Sequence, residues 1–179
     1  MGIRRARNAA RRLRDDLGVP STPPVNVHRI ANALGVDIVE RHNLDVLGHQ
    51  NVSGLLLRRK GRTICLINAG DGENRKRFSI AHEIGHLVLH PFQEQYVDPK
   101  FSLAARDQKS TEGVDLFEIE ANAFAAELLM PEDWLRRQID RPLELDVFSD
   151  ARVSELASQY KVSLQAMTIR LTSLKLLNG

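Results

Sequence analysis

The stretch "AHEIGHLVLH", residues 81–90, decides how the rest of the chain is read. It sets three histidines and a glutamate among apolar residues, where an ionisable group costs several kcal/mol unless it is paired or bound to a metal. His82 and His86 are four residues apart, so on a helix they lie about 40° apart in azimuth and one turn apart in height. Two imidazoles can then meet one cation. Glu83, next to the first histidine, is placed to polarise a water held by that cation and to move its proton. Phe78, Ile80, Ala81, Ile84, Leu87, Val88 and Leu89 leave this helix almost no solvated face. That favours a zinc site over a surface helix that happens to carry two histidines. Gly85, costly inside a helix, predicts the close approach of a neighbouring element or of substrate.

Working outward, the Gly-rich polar run "AGDGENRKR" (69–77) suits a helix start, and Pro91 disfavours helical geometry at His90. The predicted helix runs from about Arg75 to Leu89. Upstream, "SGLLLRRKGRTICLIN" (53–68) reads as a β-hairpin, two apolar runs around a turn. "VNVHRIANALGVDIVE" (25–40) reads as a short helix with Ile30, Ala33 and Leu34 inward, stopped by Gly35 and followed by an extended segment. Downstream, residues 92–113 are polar and irregular, an expected mobile loop that orders around substrate. Tyr96 is its candidate donor to a developing oxyanion. "VDLFEIEANAFAAELLM" (114–130) is a second strong helix, ended by Pro131.

The composition fits a soluble globular protein: 179 residues, 42% hydrophobic, 27% charged, net charge +2. No apolar run approaches the roughly 20 residues that span a bilayer, so no membrane is expected. The N-terminal sequence lacks the apolar centre of a secretory signal. Cys65 is the only cysteine. It allows no internal disulfide, fits a reducing cytoplasm, and reads as a small buried strand residue. Arg4, Arg5, Arg7, Arg11, Arg12 and Arg14 face only Asp15 and Asp16 in the first 18 residues. A solvated face of a surface helix is the favoured reading, ahead of contact with nucleic acid or an acidic partner. The expected organisation is a basic N-terminal helix (1–20), a core carrying the metal motif (21–131) and a C-terminal helical segment (132–179), after a Pro-rich break at "VPSTPPVN" (19–26).

A hydrolytic zinc site usually takes three protein ligands and keeps one position for water. His90, eight residues after His82 and at the Pro91 break, points away. Glu118 and Glu120 are the remaining candidates. With Phe117 at zero on a wheel of about 100° per residue, the apolar residues of the second helix fill the wheel to about 240°. Glu118 and Asn122 fall inside that arc, near 100° and 140°. Glu120 and Glu127 share the polar sector near 280–300°, where water can solvate them. A carboxylate among apolar neighbours calls for a cation, so Glu118 is the predicted third ligand, with Asn122 holding it or a ligand histidine by hydrogen bond.

"RFSIAHEIGHLVLH" followed by "EIEANAFAAELLMP", and preceded by "SG" and "ICLIN", resembles the ImmA/IrrE family of metallo-endopeptidases. The resemblance runs from about Val25 to Pro131 and continues more loosely to the C-terminus. It implies an α+β fold with a zincin-like core: a small sheet, a helix with the HExxH motif and a glutamate-bearing helix. It further implies cytosolic cleavage of a DNA-binding repressor, relieving repression during stress or mobile-element induction. Glu118 matches the first glutamate of the family's second motif. The basic N-terminal helix is not carried over from the family.

The end of the chain, "VSELASQYKVSLQAMTIRLTSLKLL" (153–177), is similar in pattern to a helix-turn-helix. Val153, Leu156, Ala157, Val162, Leu164, Met167 and Leu171 are predicted to face inward, and Arg170 and Lys175 to be available to phosphates. With so few basic residues, a helical pair packed on the core is the favoured alternative. Two functional classes follow: a zinc endopeptidase acting on a repressor, or a non-proteolytic regulator that binds a partner protein or DNA on the same fold. Intact His82, Glu83 and His86 favour the first, because a binder has no need of Glu83.

Overall fold

The computed structural model describes residues 2–42, 44, 53–59, 61–91, 95–96, 108–139, 142–143 and 147–178. The fold is mixed α+β. Helix α1 (Gly2–Asp16) leads through the Pro-rich break to α2 (Val27–Ala33) and strand β1 (Val36–Arg41). Strands β2 (Gly54–Arg59) and β3 (Arg62–Asn68) follow, then α3 (Glu73–Leu89), a two-residue strand β4 (Gln95–Tyr96) and α4 (Gln108–Leu129). Three helices close the chain: α5 (Glu132–Gln138), α6 (Val147–Tyr160) and α7 (Leu164–Ser173). No described helix is long and apolar enough to cross a membrane.

Local chemistry accounts for most boundaries. The Asn26 side chain accepts from the Arg29 amide (3.0 Å) and starts α2. Gly35, with φ +69°, ends it in the left-handed region that favours glycine. Ser163 starts α7 by accepting from the Ala166 amide (3.1 Å). β2 and β3 pair antiparallel with Arg59 opposite Arg62, as the hairpin reading requires. β1 joins the far side of β3 in parallel and β4 pairs with β2, giving the order β1-β3-β2-β4.

The elements stack in sequence across the molecule. α3 lies on β2 and β3, α4 lies on α3, and α1 lies on α4. One apolar core runs from Ala6 and Ala10 through Ile80, Ile84, Phe124 and Leu128 to Leu156, Met167 and Leu171. It therefore contains residues of the N-terminal helix, the central elements and the C-terminal helices alike.

Several expectations change in three dimensions. In α2, Ala31 is buried and Ala33 is exposed, because the helix turns its Val27–Ile30–Ala31 edge to the core. Leu164 is 53% exposed at the start of α7 and does not face inward. Of the expected loop, residues 95–96 form the edge strand and α4 already begins at Gln108. Residues 92–94 and 97–107 lie outside the described residues. The Tyr96 backbone pairs with Leu56.

The basic helix departs most from expectation. Ala6, Ala10 and Arg14 form a buried stripe, and the small alanines let α1 settle onto α4. Arg11 Nε donates to Glu127 Oε1 (2.9 Å), and Arg14 Nη1 donates to the Glu127 carbonyl (2.7 Å). From the other side, Arg170 of α7 bonds the second Glu127 oxygen and also donates to the Met130 carbonyl (3.0 Å). Glu127, expected in water, is fully buried, and Arg170, expected at a phosphate, is 3% exposed. Both corrections have one cause. Packing of α1 and α7 over α4 removes the solvent, and the charges pair because none can stay alone there.

Candidate metal centre

The centre is built where α3 crosses α4. At Gly85 a Cβ would lie 3.2 Å from the Ala121 Cα, 3.3 Å from its carbonyl oxygen and 3.2 Å from Phe124 Cδ1. Only a missing side chain lets the two backbones come this close, which answers the expectation raised by a glycine in mid-helix. One turn back on each helix, His82 and Glu118 face each other, and His86 completes the group.

His86 Nε2 is 2.9 Å from His82 Nε2 and 3.0 Å from Glu118 Oε1, and His82 Nε2 is 3.2 Å from Glu118 Oε2. One ligand atom from each residue lies within 4.8 Å of the others. A tetrahedral ion with bonds of about 2.0–2.1 Å requires its ligands about 3.3 Å apart, so the separations match a metal's coordination sphere. The donor set, two imidazole nitrogens and a carboxylate, suits a divalent metal. The His86 side chain is 1% exposed, that of His82 13% and that of Glu118 19%. His86 is therefore the innermost of the three, and Glu118 is the most exposed to solvent.

Burial and the mutual contacts of the three side chains set their protonation. Burial pushes the His86 imidazole down to about 4, against the pull of Glu118. At His82 burial acts the same way, but Glu118, Glu83 and Asn122 outweigh it and the proton is held above the usual histidine value. For Glu118, burial would raise the pKa, yet hydrogen bonds from both histidines hold it far below the ordinary carboxylate range.

Glu83 is 4% exposed and lies against the start of β2, where Gly54 leaves room for it. Asn122 Oδ1 lies 3.1 Å from His82 Nδ1. His90 stands outside the group. Its ring packs 4.3 Å from Phe117 between centroids, and its Nε2 is 3.7 Å from Glu120 Oε2. Glu120 is 8% exposed and sits against Gly2 and Arg5 of α1 rather than in water. The structure thus brings together His82, His86 and Glu118 and leaves His90 and Glu120 as a separate pair. Sequence reasoning missed the contact of Gly54 with Glu83; its one signal was a glycine opening an otherwise apolar strand.

Residues 31–172 match the family model Peptidase M78, the IrrE N-terminal-like domain. The chain belongs to this family. Its membership agrees with the ImmA/IrrE resemblance of the two motifs, and it identifies a metallopeptidase-type domain whose three candidate ligands are positioned to bind a metal. The chain is also similar to an uncharacterized immunity region protein 2 of Bacillus phage phi105, with 28% identity over 113 residues. That match spans 63% of this chain and 63% of the phage protein, just under two thirds of each. A Mycobacterium tuberculosis transcriptional regulator superposes with a TM-score of 0.62 at 16% identity, over 94% of this chain and 46% of its own. At that identity the likeness is one of fold. Helix α1 lies outside the Peptidase M78 match.

Proposed function

We propose that the protein is a cytoplasmic zinc endopeptidase with a zincin-like core that cleaves a DNA-binding repressor, and so relieves repression. The observation that carries the reading is the convergence of His82, His86 and Glu118 beside Glu83. Zinc suits two imidazoles and a carboxylate, and when bound it supplies a Lewis acid that polarises the scissile carbonyl and makes water a nucleophile near neutral pH.

The chain's own residues do the rest. His82, His86 and Glu118 hold the ion, and Asn122 orients the His82 ring. Glu83 accepts the proton of the attacking water and returns it to the leaving amine, general acid–base work worth about 10²–10⁴-fold. The open side at Glu118 admits the peptide. In this division residues 21–131 perform the chemistry, and the helices of 132–179 brace the glutamate-bearing helix. Similarity to a phage immunity-region protein and to a fold named as a transcriptional regulator supports a regulatory substrate.

The rival reading is a non-proteolytic regulator that binds a partner protein or DNA on the same fold, the DNA through its last two helices. It loses Arg170 to Glu127. The turn between α6 and α7 is also tied to α3 by Asn74 and Arg77, which donate to the Val162 and Lys161 carbonyls. The decisive experiment co-purifies the zinc-loaded protein with a candidate helix-turn-helix repressor and maps fragments by mass spectrometry. Fragments absent from the Glu83→Gln variant are expected. A stable complex with intact repressor, in wild type and variant alike, would favour the binder.

A further inference from the structure

Gly54 opens β2 opposite Ile67 of β3. Its backbone does not need glycine: positive φ values occur at Gly18, Gly35 and Gly61, but not here. The constraint is space. A Cβ on Gly54 would lie 3.1 Å from Glu83 Oε1, 3.3 Å from Glu83 Cγ and 3.4 Å from Ser79 Cβ. Ser79 and Glu83, one turn apart, form the buried edge of α3 that presses on this strand. Glu83 directly follows His82 in α3, and its carboxylate reaches across to Gly54 of β2.

We propose that Gly54 is a positioning residue for Glu83: its missing side chain is the space in which the carboxylate rests beside His82. The inference builds on the metallopeptidase reading and adds a residue that touches neither metal nor substrate. A methyl group at position 54 cannot clear Glu83 unless the carboxylate shifts by some tenths of an ångström. None of the three nearest atoms belongs to a metal ligand, so the ion itself is expected to stay. Where a misplacement of about 1 Å can cost roughly 100-fold in rate, a smaller shift of Glu83 is expected to lower kcat about tenfold and leave KM unchanged.

The test uses Co²⁺ as the probe, with its visible absorption read at fixed pH in wild type, Gly54→Ala, Glu83→Gln and the double variant. Gly54→Ala is expected to bind one Co²⁺ with unchanged affinity and to move the spectrum toward that of Glu83→Gln. The double variant is expected to match Glu83→Gln alone, because the glycine acts only through the glutamate. A wild-type spectrum in Gly54→Ala, additive changes in the double variant, weakened Co²⁺ binding, or no spectral effect of Glu83→Gln would each overturn the proposal. If the alanine variant does not fold, Gly54→Ala is made together with Glu83→Asp, whose shorter side chain leaves room for the methyl: the methyl is then expected to leave the Glu83→Asp spectrum unchanged, and a large change would overturn the proposal. A wild-type protein that takes up no Co²⁺ would instead sink the metal-centre reading.

Discussion

Asn122 Oδ1 lies 3.1 Å from His82 Nδ1, on the side of the ring away from the metal group. An amide oxygen only accepts, so it selects the tautomer with the proton on Nδ1 and leaves the Nε2 lone pair facing His86 and Glu118. Asn122→Ala removes that selection but no ligand. Zinc affinity is expected to fall about 10–100-fold, measured by chelator competition. An unchanged affinity would show that the ring is oriented by packing alone.

Glu118 and Glu120 are two residues apart and do different work. Glu118 meets both histidines, whereas Glu120 meets His90, Gly2 and Arg5. Glu118→Ala is expected to weaken zinc binding by orders of magnitude, while Glu120→Ala leaves it nearly unchanged. The reverse pattern in bound-metal analysis would reassign the ligand.

Metal uptake carries a pH signature. His82 holds its proton above the usual histidine value, so a metal that binds there must displace that proton. Affinity is therefore constant above the raised His82 pKa and falls about tenfold per pH unit below it. His86, with its pKa at about 4, adds a second competing proton only near that pH. Titrations in buffers of different ionisation enthalpy are expected to show proton release per metal rising from about one half at the His82 value toward about one well below it. Uptake that does not weaken as the pH falls through and below the usual histidine range would contradict a raised His82 pKa.

Gly85→Val places branched carbon where the Ala121 backbone already stands at contact distance. A backbone cannot swing aside as a side-chain tip can, so α3 and α4 must separate. The expected cost is about 1–3 kcal/mol of stability, together with weaker zinc binding as Glu118 withdraws from the histidines. Denaturant melts and metal analysis on the same sample check both effects.

Removing Glu127 is expected to be worse than removing any metal ligand. Arg14 and Arg170, 6% and 2% exposed in their side chains, would lose their shared carboxylate inside the core. Glu127→Ala is expected to cost about 3–5 kcal/mol. Cys65, 1% exposed and with burial holding its thiol well above the usual range, is expected to ignore thiol reagents until such a variant unfolds.

The helix carrying His82 and His86, the hairpin, the glutamate-bearing helix and the approach of the two histidines could all be read from the order of residues. Each depends on contacts within a few residues, and helical or strand periodicity writes those contacts directly into the order of side chains. Glu118 was singled out by the same periodicity, but the wheel misjudged its rivals. It gave Glu120 and Glu127 to water, and the structure buries both. A wheel records which side of a helix a residue occupies, not what covers that side. The cover comes from α1 and α7, more than forty residues away in either direction along the chain. Only their docking turned a row of surface arginines into partners for a buried carboxylate. The distance between α3 and α4 was likewise settled by Gly85 meeting Ala121, a contact that neither helix encodes alone.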